Sequence, residues 1–353
     1  MKVIKLFSDI LVVDGFQRSL IQDYNRKKTF FIPLELSDLI KRYDGKISIN
    51  QINKLKKHKQ KNIYIEYYEF LKENDIIFIV EDSLQNLFPK ISKKYELPFN
   101  IDCLTILLSN INYTIIYKAF EKGLFNTIAC FSITCCDEVH LKDIHALIDI
   151  ISRSEARYVK ITIQKDRHLT YKNSLLLIEY IDISIKYNFF QEIVYQIKYP
   201  KFSNIFALYI ESLYYNPYFH KQIFIDYDGA IKNTPETEDV GFNIKFINKE
   251  STFEKIVNNS SLKRYDKITK DKIEICKVCE MRYMCINNKV PQKKGQYWYY
   301  QTSCIYNPFI CKWADDENFV PIEECGYFDK SFRFVPDYEK IDLLNKTIWG
   351  DKE

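Results

Sequence analysis

The sequence predicts an α/β protein in three parts: a winged-helix-like module, a middle built of alternating strands and helices, and a cysteine-bearing C-terminal region. Three observations predict it. Short alternating strands, three helical stretches and a closing apolar strand fill the first 82 residues. Apolar runs then alternate with helical patterns from about residue 101 to 225. Finally, four cysteines gather between 276 and 304.

Residues 1–32 alternate apolar and polar side chains, with breaks at Asp14-Gly15 and at Asn25–Lys28. That pattern reads as antiparallel strands joined by hairpins. Helical spacing follows at 34–43, 48–57 and 63–74; the last carries Ile63, Tyr67, Phe70 and Leu71 on one stripe. A strand over 76–80 closes the unit. The stretch 83–100, with Pro89 and Pro98, is the expected linker.

In the middle part, strands are predicted at 103–108, 127–133, 158–163, 193–197 and 205–210, and helices at 112–122, 140–152 and 171–187. Strand–helix alternation implies parallel strands with crossover helices, in an open sheet or part of a barrel. A strand-turn at 222–231 and a helix at 252–264 precede the cysteines. The tail after 326 reads as polar and without periodicity.

Composition narrows the function classes. The chain has 353 residues, 46% hydrophobic, with a net charge of +4. It reads as globular, and the small charge does not point to nucleic acid. No apolar run approaches the roughly 20 residues of a membrane span, and the start lacks a signal-peptide pattern. A cytoplasmic protein without membrane contact is expected, with its ten cysteines as thiols or metal ligands.

Cys276 and Cys279 form a C-x2-C turn, Cys285 follows after five intervening residues, and Cys304 lies at loop distance. This spacing aims thiolates at one point and suits Zn²⁺ or an iron–sulfur cluster. Cys311 and Cys325 are alternatives for the fourth ligand. Cys135, Cys136 and His140 sit at a strand end, where parallel sheets place active sites; a strand end followed by a helix start explains them as well. Cys103 and Cys130 read as core thiols. The lysines at 54–61 read as a solvated loop, with phosphate contact as the alternative. No glycine-rich phosphate loop is present.

Four segments carry a resemblance: Ile225–Pro235, Gly241–Ile244, Ile268–Cys285 and Cys304–Pro308. In them the chain resembles the SPASM-domain peptide maturases of grasp-with-spasm systems, which act beside an ATP-grasp ligase on ribosomal precursor peptides (the RiPP pathways). The resemblance implies a precursor-peptide recognition module over 1–82, a partial radical-SAM-like β/α barrel over 101–225, a SPASM-like domain over 226–326 and a tail over 327–353. Such modules hold an extended peptide as an added strand beside a helix. Leu20, Gln22 and Tyr24, and Tyr64, Tyr67, Tyr68 and Leu71, are the residues expected to contact it.

The departures from that family are informative. Radical-SAM chemistry needs a C-x3-C-x2-C loop after the first barrel strand, and here Ser109–Tyr113 contains no cysteine. No S-adenosylmethionine chemistry is expected. Of the family's two auxiliary clusters, the first would fall on Tyr218, Thr234 and Asn288, which offer no thiolate. The second falls on Cys276, Cys279, Cys285 and Cys304, all present. The expectation is one retained four-cysteine site, holding [4Fe–4S] or Zn²⁺ in a structural role. The expected partners are a precursor peptide and an ATP-grasp ligase. The rival readings are a peptide-modifying enzyme using other chemistry, or a winged-helix nucleic-acid binder.

Overall fold

A computed structural model describes residues 1–57, 63–96, 100–136, 139–153, 157–164, 176–181 and 201–350. The fold is mixed α/β, with a largely parallel sheet at its centre. No helix among the described residues is long and apolar enough to cross a membrane.

The N-terminal part opens with β1 (Lys2–Leu6), β2 (Ile10–Asp14), β3 (Arg18–Asp23) and β4 (Lys28–Pro33). Its helices are α1 (Leu34–Tyr43), α2 (Ile49–Lys57) and α3 (Ile63–Glu73), and β5 (Ile77–Glu81) closes it. Strands β2, β3 and β4 form an antiparallel sheet with β3 in the middle, while β1 pairs with β5. Helix α1 starts directly after Pro33, whose fixed φ suits a helix entry. Its Leu36 and Ile40, four residues apart, face a core with Ile21, Ile32 and Ile76.

The middle part is built on β6 (Ile101–Leu108), α4 (Tyr113–Glu121), β7 (Ile128–Cys135), α5 (Leu141–Ile151), β8 (Tyr158–Gln164) and β9 (Leu176–Ile181). After β10 (Lys201–Phe202) and α6 (Phe206–Tyr214) come β11 (Gln222–Ile225), β12 (Ala230–Lys232) and β13 (Phe242–Asn243). The seven strands run in the order β13-β12-β11-β6-β7-β8-β9. All pairings from β11 to β9 are parallel, and β12 and β13 add antiparallel strands at the β11 edge. Leu104, Ile106 and Leu108 alternate on one face of β6 and are wholly buried against Ile116 and Phe120 of α4 and Ile144 and Leu147 of α5.

Four sequence expectations are corrected. The helix expected at 171–187 is a strand over Leu176–Ile181, in parallel register with β8; the rest of that span, and the strand expected at 193–197, lie outside the described residues. The strand expected at 205–210 is helix α6. A continuous apolar run fits both periods, and Tyr209 and Ile210 are buried in helical register against Tyr24. The tail is not featureless: a hairpin pairs Gly326–Phe328 with Phe334–Pro336, and a helix spans Tyr338–Trp349. Asp337 caps that helix by accepting from the Lys340 N–H at 3.0 Å. Its Ile341, Leu344 and Ile348 cover Phe309 and Ile322. The helix expected at 252–264 is shorter, Glu250–Val257.

Candidate functional site

The cysteine knuckle is assembled from short turns. Ile275 has φ 68° and ψ −52°, and the Cys276 N–H donates to Glu274 O across it at 2.8 Å. This is a strained γ-turn, and a β-branched residue there costs on the order of 1–3 kcal/mol. Glu274 holds the turn in place. Its N–H donates to Trp298 O at 2.8 Å, and its carboxylate accepts from the Phe334 N–H and from Lys277 Nζ. A 3₁₀ turn over Cys276–Val278 follows, closed by Cys279 N–H to Cys276 O at 3.0 Å. Cys285 sits on a two-residue strand paired with β10.

All four thiols are partly covered. Cys276 interacts electrostatically with Cys285 and Cys304, and Cys279 with Cys276 and Cys285. Burial pushes the Cys276 thiol up to about 12, with nearby Lys270 opposing the shift. Burial also raises Cys279 and Cys285. The Asn287 amide lies 4.0 Å from the Cys285 sulfur. Cys325 is elsewhere, buried under Asn307 Nδ2 at 3.2 Å, and Cys311 lies beside Arg18. Cys304 therefore shares the neighbourhood of the knuckle. Among the described residues, no group of three or more His, Cys, Asp or Glu side chains is arranged to hold a metal ion as it stands. The donor set is of the right kind, four thiols, and Lys270 and Lys289 oppose the rise that burial imposes on Cys276 and Cys285. A metal would have to draw the four sulfurs into one shell.

Tyr218 and Asn288, two of the residues at the thiolate-free positions, meet at Glu236. Tyr218 Oη donates to Glu236 Oε1 and Oε2 at 2.9 and 2.8 Å, and Asn288 Nδ2 donates to Oε1 at 3.0 Å. Burial, reinforced by the Glu236 carboxylate, raises the Tyr218 phenol. Thr234 lies in the same loop, where its N–H donates to Thr237 Oγ1 at 3.1 Å. Glu236, the hub, was missed by sequence reasoning; its position two residues after Thr234 was the available signal.

The Ser109–Asn112 loop is closed by its own side chains. Asn112 Oδ1 accepts from the Ser109 N–H at 2.9 Å, and its Nδ2 donates to Leu107 O and Asp226 O. Ser109 Oγ donates to Tyr227 O at 2.7 Å, tying the end of β6 to the end of β11. Cys135 and Cys136 are buried at the end of β7, while His140 is exposed at the N-cap of α5. Residues 137–138 lie outside the described residues. Cys103 and Cys130 oppose each other across β6 and β7 and are half-buried rather than in the core.

The N-terminal part holds an apolar groove of about 380 Å³. Tyr64, Tyr67, Tyr68 and Leu71 of α3 line one side; Leu36, Leu39, Ile40 and Tyr43 of α1, Asp44 and Ile47 after it, Ile52 of α2, Ile4 and Leu6 of β1 and Ile77 of β5 line the rest. Among the described strands, β5 pairs only with β1, so its other edge has no strand partner. The other three expected contacts lie elsewhere. Leu20 is buried against Met281 and Tyr306, Tyr24 against Tyr209, and Gln22 is fully buried, accepting from Tyr24 Oη at 2.6 Å. The sequence pattern marked residues 1–32 as alternating strands but could not say that the cover of β3 is the knuckle. The lysine-rich stretch falls largely outside the described residues.

Compared with known proteins, the chain matches no family model, no curated protein and no solved structure.

Proposed function

We propose that this chain is a precursor-peptide-binding protein of a ribosomal peptide pathway. It would hold the peptide in the N-terminal module and act with an ATP-grasp ligase. The observation that carries this reading is the apolar groove, which Ile77 of β5 helps to line, together with a β5 that among the described strands pairs only with β1. An extended peptide added to the other edge of β5 gains backbone hydrogen bonds, and its alternate side chains enter the groove against Tyr64, Tyr67, Tyr68 and Leu71. Leu20, Gln22 and Tyr24 are not part of this contact, because they are enclosed against the rest of the chain.

In this reading the middle part is a partial radical-SAM-like barrel without its chemistry, since the Ser109–Asn112 loop has no thiolate to offer an iron. The C-terminal part is a SPASM-like domain with one metal, Zn²⁺ or [4Fe–4S], on Cys276, Cys279, Cys285 and Cys304. A bound metal supplies folding free energy there, about 10 kcal/mol or more for structural zinc in small domains. The knuckle needs such a tie, because it consists of turns and two-residue strands.

The test is fluorescence anisotropy with a labelled precursor peptide encoded next to this gene. Affinity in the micromolar range is expected. Leu39→Asp and Tyr64→Ala should each weaken it by about tenfold, which is roughly 1.4 kcal/mol. Absence of binding at tens of micromolar, by wild type of verified fold, sinks the reading.

A further inference from the structure

A second cavity, of about 340 Å³, opens between the loop after β12 and the turn that follows the helix Glu250–Val257. None of its lining residues lines the N-terminal groove. The loop contributes Glu238 and the turn contributes Arg264. Neither forms an ion pair among the described residues, and the Arg264 guanidinium lies 5.4 Å from the centre of the Tyr265 ring. The charged residues next to them are occupied. Asp239 Oδ1 accepts from the Gly241 N–H at 2.8 Å, and Lys263 Nζ donates to Asn258 Oδ1 at 2.6 Å.

Asn233 also lines this cavity and is only 4% exposed. Its Nδ2 donates to Phe219 O and to Gln222 O, both at 2.8 Å, so two backbone carbonyls set the orientation of the amide. Its Oδ1 is left buried without a hydrogen-bond partner among the described residues. Buried acceptors are normally paired, and an unpaired one costs free energy until a donor arrives. The cavity thus offers a cation, an anion and an acceptor in need of a donor, beside Val240 and the ring of Tyr265.

We propose that this cavity binds a small zwitterion with one ammonium and one carboxylate group, such as a free amino acid. Arg264 takes the carboxylate through its planar fork of donors. Glu238 takes the ammonium, and Asn233 Oδ1 accepts one of its N–H bonds. A ligand with only the carboxylate meets Glu238 as a like charge, and a ligand with only the ammonium meets Arg264 in the same way. Each charged group therefore rejects a ligand that lacks its own partner. The volume lies near the lower end for ligand pockets, which suits a molecule of few atoms. The two ends of a short unblocked peptide carry the same chemistry, and the experiment separates the two sources.

The experiment titrates the full chain with each L-amino acid, and with short unblocked peptides, by isothermal calorimetry up to about 10 mM. Saturable binding of at least one of them is expected. For the tightest, the amine lacking the carboxylate and the acid lacking the amine should each bind about tenfold more weakly, or worse. Arg264→Met should abolish the preference over the amine, and Glu238→Gln the preference over the acid. Both positions are exposed, so circular dichroism should show an intact fold in each variant. Binding of free amino acids, or of peptides alone, supports the proposal and names the source. Leu39→Asp, directed at the N-terminal groove, should leave this binding unchanged; its loss there would assign the binding to the groove and overturn the proposal. No saturable binding by any of these ligands also overturns it, as does an acid or amine that binds as tightly as its zwitterion.

Discussion

Arg18 donates from Nε to Glu280 Oε1 at 2.7 Å, joining β3 to the residue immediately after Cys279 across 262 positions of chain. Tyr306 Oη donates to the same oxygen at 2.5 Å. The neighbouring knuckle residues repeat the link. Met281 packs on Leu20, Arg282 Nη1 donates to Asp14 O at 2.6 Å, and Tyr283 packs on Tyr209, which covers Tyr24. The residues between Cys279 and Cys285 are thus the socket for the N-terminal sheet.

The Glu280 side chain is fully buried, so removing its cation leaves a charge without compensation. Arg18→Met should lower stability by about 3–5 kcal/mol, and the double variant Arg18→Met/Glu280→Gln should recover part of that loss. Urea unfolding of wild type, Arg18→Met, Glu280→Gln and the double variant reads the coupling. Strictly additive losses would show that the pair does not act as a unit.

Removal of the proposed metal should loosen β3 before it loosens the parallel sheet, because the socket lies between Cys279 and Cys285, two of the proposed ligands. Hydrogen exchange after chelation should rise first at residues 10–23 and 276–285, with β6 and β7 still protected. Uniform exchange across the chain would contradict this order.

Glu236 is the shared acceptor for Tyr218 and Asn288. Glu236→Ala leaves both donors unpaired in a half-buried place and should cost about 1–3 kcal/mol, whereas Tyr218→Phe removes one partner and should cost less. Thermal unfolding distinguishes the two; an unchanged midpoint for Glu236→Ala would mean that the network contributes nothing.

Asp266 is buried, and its Oδ1 has no hydrogen-bond partner among the described residues. Burial pushes its carboxyl from 3.8 up to about 7, with Lys263 opposing and Glu211 adding to the shift. The folded chain thus keeps a proton that the unfolded chain releases. The stabilisation is fully present below the unfolded value and is lost as pH rises through about 7. Wild type should lose stability between about pH 4 and pH 8, and Asp266→Asn should lose less. Parallel pH profiles for the two proteins would refute the assignment.

Much of the architecture was legible because its signals are local. Leu36 and Ile40, or Ile116 and Phe120, show helical spacing within one turn. The runs that became β6, β7 and β8 are apolar and lie between helices of clear period. The apolar runs at 176–181 and 205–210 carried no period that separates strand from helix, and only the register with β8 and the cover over Tyr209 decided them. The candidate site divides in the same way. Tyr64, Tyr67, Tyr68 and Leu71 were legible as a helix stripe, and they line the groove.

The sequence by itself determined the cysteine spacing, the strand–helix alternation and the absence of thiolates at Ser109–Asn112, Tyr218, Thr234 and Asn288. These are properties of residue type and short separation, which chain geometry translates directly. Only the tertiary structure decided that β3 is enclosed by the knuckle, that Glu236 joins Tyr218 to Asn288, and that Lys270 is buried with its Nζ on Tyr300 Oη. Each depends on which surfaces meet after the chain has folded, and pairs as far apart as Arg18 and Glu280 leave no periodic trace in the sequence.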